Sequence, residues 1–213
     1  QLAQHARTLR AAGVSRLNVS LDSINPDCFA RITGRDGLAQ VMEGLAIAKA
    51  AGLAPIKLNM VVLADQNMDQ IEPMAEFALR EGFILRLIEP MPVGTTGQRM
   101  PAIDLTRLGE ALADRYGLLA HIMPHGAGPA RYWVDPATGT SIGVITPMSQ
   151  HFCESCNRIR LTVDGTLLLC LGQEARVDLG TMLRAGASDA ELIAAIRAGI
   201  ARKPERHEFR ESP

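Results

Sequence analysis

Residues 56–89, IKLNMVVLADQNMDQIEPMAEFALREGFILRLIE, contain one complete strand–helix–strand unit. Residues 56–63 and 84–89 are short, mainly apolar stretches of strand length. Between them, Asn67 followed by Gln70 resembles a capping box, which predicts that a helix begins there. Two strands joined by one helix of this length predict a βαβ unit in a parallel sheet.

The same alternation extends toward the beginning of the chain. Residues 14–21 alternate apolar and polar side chains, which predicts a strand. Asn25 followed by Pro26 is typical of a helix N-cap and first helical position. Apolar residues at helical spacing from residue 38 then predict a second helix that ends at Gly52. The first part of the chain is therefore an α/β fold.

Beyond residue 100 the pattern changes. The predicted elements there are a helix over residues 105–116, a hairpin of residues 131–134 and 141–146, and a final helix after a Ser188–Glu191 capping box. We therefore divide the chain into residues 1–100 and 101–213. The charged and polar tail of residues 203–213 is expected to be exposed to solvent.

Composition limits the classes of function. A net charge of −1 over 213 residues argues against a broad nucleic-acid or membrane-surface face. No apolar run of about 18 residues occurs, so no membrane span is predicted. Four cysteines in a chain of this length do not make a disulfide scaffold, and three of them are grouped at metal-type spacing. This usage favours a reducing, cytoplasmic setting.

Polar side chains share faces of the predicted parallel strands, where a doubly covered sheet would be apolar. They are Asn18, Ser20 and Asp22 on the first strand, Lys57 and Asn59 on the second, and Glu89 and Met91 near the end of the third. Such convergence is typical of a site that lines a barrel or cleft. Lys57 needs a partner, since an unpaired ammonium among apolar neighbours is costly. Either Asp22 or Glu89 could pair with it, or a bound phosphate could.

The segment of residues 151–171, HFCESCNRIRLTVDGTLLLCL, carries Cys153, Cys156 and Cys170 as C-x2-C-x13-C. One interpretation is a structural zinc site, with His121, His125 or His151 as fourth ligand. Another is an iron–sulfur cluster on three thiolates with one iron left open. Spacing alone favours zinc. A third is that the three cysteines are unliganded core residues.

Arg158 and Arg160 stand between the second and third cysteines of this segment. A two-residue turn at Asp164-Gly165 would direct both arginines away from Cys170. A three-residue loop with a left-handed Gly165 would instead set Cys170 opposite Arg158. An anion bound beside a metal centre requires the second register.

Several segments together resemble the GTP 3′,8-cyclase family of molybdenum-cofactor biosynthesis, which consists of radical S-adenosylmethionine enzymes. They are residues 18–23 (NVSLDS), 32–35 (ITGR), 55–59 (PIKLN), 88–94 (IEPMPVG) and 153–170. The resemblance runs in order over nearly the whole chain. It implies the C-terminal part of an incomplete (β/α) TIM-like barrel, followed by an extension whose β-hairpins carry a metal cluster.

The resemblance also implies roles for individual residues. Cys153, Cys156 and Cys170 would hold a second [4Fe–4S] cluster, which reverses the preference for zinc. Lys57 and the segment Arg158, Ile159 and Arg160 would contact GTP, and Ser20 and Met91 would contact S-adenosylmethionine. The reaction implied is a radical rearrangement of GTP to 3′,8-cyclo-7,8-dihydro-GTP. The implied partners are GTP, a downstream cyclic pyranopterin monophosphate synthase and a second copy in a homodimer.

The sequence departs from the family in two places. The C-x3-C-x2-C motif of the radical-generating cluster does not occur, and the chain ends FRESP rather than in two glycines. Both departures are typical of truncation, so no catalytic residue is assigned and this chain alone is expected to be inactive. Two alternatives remain: a zinc- or cluster-stapled nucleotide-binding module without catalysis, and another radical S-adenosylmethionine enzyme with an accessory cluster.

Overall fold

The computed structural model describes residues 1–93, 101, 103–121, 129–150 and 152–209. The chain divides into two compact units, Gln1–Gln150 and His151–Pro213. Within the described residues, no helix is both long enough and apolar enough to cross a membrane.

The first unit alternates helices and strands. Its strands are β1 (Leu17–Ser20), β2 (Ile56–Val61), β3 (Ile84–Ile88), β4 (Leu119–His121), β5 (Ala130–Val134) and β6 (Ser141–Ile145). Its helices are α1 (Leu2–Ala11), α2 (Pro26–Thr33), α3 (Leu38–Ala50), α4 (Ile71–Glu81) and α5 (Leu105–Tyr116). These elements confirm the predicted strand–helix–strand unit and the predicted hairpin after residue 130.

One six-stranded sheet, in the order β1-β2-β3-β6-β5-β4, organises this unit. Strands β1, β2, β3 and β6 are parallel, whereas β5 and β4 continue the sheet in antiparallel pairing. Leu85 of β3 lies opposite Leu58 on one side and Ile142 on the other, so the three strands share one register. The structure therefore confirms an α/β fold built on a parallel sheet.

The sheet also crosses the position at which the sequence pattern changes. Strand β6, residues 141–145, pairs with β3 and so completes a sheet begun by residues 17–20. For this reason the compact division falls after Gln150, not near residue 100. The division into residues 1–100 and 101–213 concerns function and stays a prediction.

Among the described residues, helices pack against one face of the sheet. In β2, Ile56, Leu58 and Met60 are buried while the residues between them are partly exposed. The buried residues of β2, β3 and β6 form one core with side chains of α3, α4 and α5, such as Leu45, Met74 and Leu112. Because strand side chains alternate between faces, the opposite face remains free of helices and is available for a site.

The predicted capping box at Asn67 is wrong. Helix α4 begins at Ile71 after a 3-10 turn, Met68–Gln70, and neither has a side-chain cap. The buried Asn67 amide instead accepts a hydrogen bond from the Leu63 N–H at 2.7 Å and donates to the carbonyls of Asp22 and Val61, both at 3.0 Å. Fastening the ends of β1 and β2 satisfies backbone groups that would otherwise be buried without partners.

The second unit contains a small sheet and two helices. Its antiparallel strands are β7 (Arg160–Leu161), β8 (Thr166–Leu168) and β9 (Arg176–Asp178), preceded by a 3-10 turn, Cys153–Ser155. Helices α6 (Leu179–Arg184) and α7 (Asp189–Ala201) follow. The predicted capping box of Ser188 and Glu191 is confirmed at the start of α7.

Candidate functional site

A row of polar residues crosses the helix-free face of the large sheet. The register sets Ser20 of β1 opposite Asn59 of β2, and Asn59 opposite Arg86 of β3. One step earlier along the strands, Asn18 lies opposite Lys57. The predicted convergence of polar side chains from parallel strands is therefore observed for these four positions of β1 and β2.

Arg86 belongs to this face, and the sequence analysis missed it. It lies between the buried residues Leu85 and Leu87, so its side chain points to the opposite, partly exposed face. Its Nε donates to Asn59 Oδ1 at 2.8 Å, and its Nη2 donates to Asn18 Oδ1. The available signal was an arginine in the middle of the apolar run ILRLI, where a cation requires a polar face.

Lys57 has no carboxylate partner among the described residues, whose four ion pairs all involve other side chains. Burial lowers the pKa of its ammonium below 10.5, and the positive charges of Arg86 and Arg16 lower it further. Arg86 in turn is held by neutral amides alone. Two cations on one face with no compensating negative charge make this face a candidate site for an anionic ligand.

The two carboxylates proposed as partners of Lys57 are used elsewhere. Asp22 accepts a hydrogen bond from the Val61 N–H at 2.7 Å, and burial raises the pKa of its carboxyl. The buried carboxylate of Glu89 accepts from the backbone N–H groups of Met148 at 2.8 Å and Ser149 at 3.0 Å. Both carboxylates therefore hold backbone segments together, and neither forms an ion pair with Lys57.

Ser20 and Met91, the predicted S-adenosylmethionine contacts, lie at or just beyond the carboxyl ends of β1 and β3, which are separated by β2. Ser20 is the exposed last residue of β1. Met91 follows β3 by three residues, is partly buried, and accepts a hydrogen bond on its carbonyl from Val93 N–H at 2.7 Å. The carboxyl ends of parallel strands are where α/β folds place their ligands.

An aromatic ring extends the polar row beyond Arg86. Arg86 lies opposite Gly143 of β6, and Gly143 lies opposite Tyr132 of β5. The Tyr132 ring lies so close over Gly143 that a Cβ atom there would be 2.6 Å from the ring. Glycine at position 143 therefore allows a large flat side chain to lie on the same face as Arg86.

The second candidate site is the cysteine segment of the second unit. The Cys156 N–H donates to the Cys153 carbonyl at 3.0 Å, so these two residues share one tight turn. None of the four cysteines is in a disulfide, and Cys153, Cys156 and Cys170 are each partly exposed. Cys28, by contrast, is buried, with its thiol donating to the Gln66 carbonyl, as expected for a small core residue.

The hairpin adopts the register that an anion site requires. Gly165 has a φ of 87°, and the Thr162 N–H donates to the Thr166 carbonyl at 2.9 Å, so the loop contains three residues. Arg160 pairs with Leu168, where β8 ends. Arg158 precedes β7 and Cys170 follows β8, so a pairing of these two residues would extend the observed register beyond the sheet and stays a prediction.

Both arginines of this hairpin are exposed, and neither forms an ion pair with a carboxylate in the part of the chain that the structure describes. The guanidinium of Arg158 lies over the Phe152 ring, 5.8 Å from its centroid. Ile159 between them is 38% exposed. This pair of cations is therefore available to an anionic ligand.

The described residues contain no group of three or more His, Cys, Asp and Glu side chains placed to hold one metal ion. A structural zinc ion would require such a group. A four-iron cluster binds each thiolate to a different iron, so its ligands stand further apart. Cys153 and Cys156 on one tight turn, and Cys170 after the end of β8, are free, partly exposed thiols of the kind that such a cluster uses.

None of these observations brings the three histidines considered as a fourth zinc ligand together with the cysteines. His125 and His151, two of the alternative zinc ligands, lie outside the described residues. His121 is exposed on β4 of the first unit, whereas the three cysteines are in the second. The expected convergence of Lys57 with the cysteines and the two arginines also joins the two units, and it stays a prediction.

The fold and the two sites together define an α/β protein with a cationic parallel-sheet face and a cysteine-bearing hairpin. Comparison with known families agrees with this class: residues 2–78 match the Radical SAM superfamily. Residues 83–209 match the family described as Molybdenum Cofactor Synthesis C. Since that match covers more than half of the chain, the protein belongs to the molybdenum cofactor synthesis C family.

Curated relatives are similar over almost the entire chain. A GTP 3′,8-cyclase of Paracoccus denitrificans is 46% identical over 98% of this chain and 61% of its own length. Those of Hydrogenovibrio crunogenus and Ectopseudomonas mendocina are 43% and 42% identical, over 65% and 64% of their own lengths. The chain therefore spans less than two thirds of the length of these relatives.

Proposed function

We propose that this chain is part of a GTP 3′,8-cyclase, a radical S-adenosylmethionine lyase that rearranges GTP to 3′,8-cyclo-7,8-dihydro-GTP for the molybdenum cofactor. The activity is proposed for the longer protein, because the chain spans 61–65% of the relatives that carry this name. The free thiols of all four cysteines suit the reducing cytoplasm in which such an enzyme would work.

The observation that carries the proposal is the three-residue loop at Gly165. This loop gives the register in which Arg160 lies opposite Leu168, and the same register extended by two residues would set Arg158 opposite Cys170. A cluster held by Cys153, Cys156 and Cys170 would then have two guanidiniums beside it, and each can bind an anion in a bidentate manner. We assign these five residues, with Ile159 between the arginines, to the binding of cluster and GTP.

The helix-free sheet face supplies the remaining contacts. Lys57, and Arg86 beside it, would neutralise phosphate charge, because neither has a carboxylate partner in the described structure. Ser20 and Met91 would contact S-adenosylmethionine at the carboxyl ends of the strands. Among the described residues, the helices pack against the opposite face of the sheet, which supports our assignment of this sheet to an incomplete (β/α) barrel. The cluster would lie on hairpins of the C-terminal extension.

The cofactors would supply the difficult chemistry: S-adenosylmethionine is the source of the radical that removes a hydrogen from the GTP ribose. The residues of this chain would hold the nucleotide so that the ribose lies against guanine C8, which favours ring closure by proximity. The downstream cyclic pyranopterin monophosphate synthase and a homodimer stay predictions from the resemblance.

A test in the full-length protein compares an Arg158→Ala, Arg160→Ala double variant with Arg197→Ala, which alters an exposed arginine of α7. We expect the double variant to lose GTP binding and turnover, and the control to keep both. Anaerobic reconstitution should give a brown protein in which Cys153, Cys156 and Cys170 account for about four irons. Zinc without iron at Cys153, Cys156 and Cys170, or unchanged activity of the double variant, would contradict the proposal.

A further inference from the structure

The described part of the tail, residues 203–209, is packed in part against the second unit, whereas its composition predicted exposure to solvent. Residues 203–209, here called the tail segment, contact residues 169–173, here called the Cys170 turn. Lys203, His207 and Phe209 are all partly buried. The physical reason is that the tail segment and the turn exchange hydrogen bonds in both directions.

Four hydrogen bonds fasten the tail segment to the Cys170 turn. The Lys203 ammonium donates to the Leu169 carbonyl at 2.9 Å, and the Glu208 N–H donates to the Gly172 carbonyl at 3.1 Å. In the opposite direction, Gln173 Nε2 donates to the Arg206 carbonyl at 2.9 Å and to Glu208 Oε1 at 2.8 Å. The bonds reach residues on both sides of Cys170.

Ring packing completes the contact. The Phe209 and His207 rings are neighbours, with centroids 4.9 Å apart. A Cβ atom at Gly172 would be 2.8 Å from the Phe209 ring and 2.9 Å from the His207 Cβ. The absence of a side chain at Gly172, two residues after Cys170, therefore lets the tail segment lie directly on the turn.

The Cys170 turn has little other support. Leu169 is 1% exposed and anchors the beginning of the turn, and its N–H donates to the Ala175 carbonyl at 3.3 Å. The structure provides no comparable anchor for residues 170–173 from within the small sheet, because β8 ends at Leu168 and β9 begins at Arg176. The position of Cys170 therefore depends on the segment that covers its turn.

We propose that the tail segment is a positioning element that holds Cys170 in place for its metal cluster. The inference rests on the proposed function, since it takes Cys170 as a cluster ligand. Groups that orient a metal ligand without touching the metal typically alter metal affinity by about 10- to 100-fold when they are removed. Lys203, Gln173, Gly172 and Phe209 would act on the cluster in this way.

The test uses the 213-residue chain, in which these three cysteines are the only metal-spaced set. Phe209→Ala removes the ring packing, and Gln173→Ala removes two hydrogen bonds made by a partly exposed side chain. Glu205→Gln is the matched control, since Glu205 is an exposed residue of the tail segment and takes part in none of the four hydrogen bonds described above. Each chain is reconstituted anaerobically with iron and sulfide, and iron release to a chelator is followed by absorbance.

We expect both test variants to release iron about tenfold faster than the parent chain, and the control to match the parent. Hydrogen exchange of the metal-free chains should show faster exchange in residues 169–173 for the two variants only. Equal iron release by parent and variants, in chains that load iron normally, would overturn this inference alone. A parent chain that takes up no iron would overturn the proposed function and this inference with it.

Discussion

Lys57 and Arg86 are the two residues whose surroundings depart most from what stability alone would select. Each is a partly buried cation on a strand with apolar neighbours, and neither has a carboxylate partner among the described residues. The two positive charges also repel each other, and the charge of Arg86 lowers the pKa of Lys57. Residues that are unfavourable in the free protein and lie together on an open face are typical of a binding site.

We expect Lys57→Met to stabilise the chain near neutral pH by roughly 0.5–2 kcal/mol, because it removes a desolvated charge. The pKa of Lys57 is below 10.5 in the folded chain. Between that lowered value and 10.5, the unfolded chain holds a proton that the folded chain has lost, so the free energy of unfolding should rise with pH. Lys57→Met should abolish that rise, as urea unfolding across the alkaline range would measure.

The matched control for this prediction is Lys49→Met. Lys49 is a mainly exposed lysine that pairs with Glu81 at 3.2 Å, so its removal should change stability by no more than about 1 kcal/mol. Destabilisation by Lys57→Met would mean that Lys57 has a favourable partner in the free chain. In the full-length protein, the same variant should weaken nucleotide binding while the folded state becomes more stable.

At the scale of secondary structure, the loop between β7 and β8 determines which side chains of the cysteine hairpin lie opposite one another. The Gly165 carbonyl accepts hydrogen bonds from the N–H groups of Leu179 and Gly180, both at 3.0 Å, at the beginning of α6. A Cβ atom at Gly165 would be 2.6 Å from the Gly180 Cα. Loop conformation, hairpin register and helix position are therefore set by one glycine.

We expect Gly165→Ala to destabilise the second unit by about 2–5 kcal/mol, since it combines a left-handed backbone with a steric clash. Gly186→Ala is the control: its φ is 84°, but nothing lies within 4 Å of the added Cβ. The control should cost only about 1–2 kcal/mol. Hydrogen exchange of peptides from residues 152–209 measures both losses of stability. Tryptophan fluorescence would not measure them, because the single tryptophan, Trp133, lies in the first unit. Equal losses would show that the close approach to Gly180 contributes nothing.

At the scale of the whole molecule, the two units differ in the size of their apolar cores. The large core cluster draws its members from Ala6 to Val144, all in the first unit. In residues 152–209, the buried apolar side chains are Leu167 and Leu169 alone. A unit of about 60 residues with so small a core usually needs a metal, a disulfide or a partner to be stable.

We therefore expect the metal-free second unit to exchange its backbone amides faster than the first. Cluster loading should slow exchange in residues 152–209, because ligand binding to the folded state adds directly to its stability. Hydrogen exchange with mass spectrometry on metal-free and reconstituted chains measures the difference. Equal protection of the amides of both units in the metal-free chain would show that the second unit is stable without a metal. Unchanged exchange after cluster loading would show that the cluster does not stabilise the folded second unit.

Much of this protein is determined locally and could be predicted from the sequence. The helix beginnings at Asn25 and Ser188 depend on side chains that bond within their own first turn. The strands of residues 56–61 and 84–88 follow from short-range alternation and apolar content. The cysteine spacing and the polar row of Lys57 and Asn59 are likewise visible in the chain itself, because they depend only on residue order.

What the tertiary structure alone decided is which distant segments meet. It joined β6 to β3 across residue 100, placed Arg86 beside Lys57, chose the three-residue loop at Gly165, and packed the tail segment on the Cys170 turn. It also used Asn67 to fasten two strands instead of capping a helix. These outcomes depend on competition among long-range partners for burial and hydrogen bonds, and local periodicity does not predict which partner is preferred.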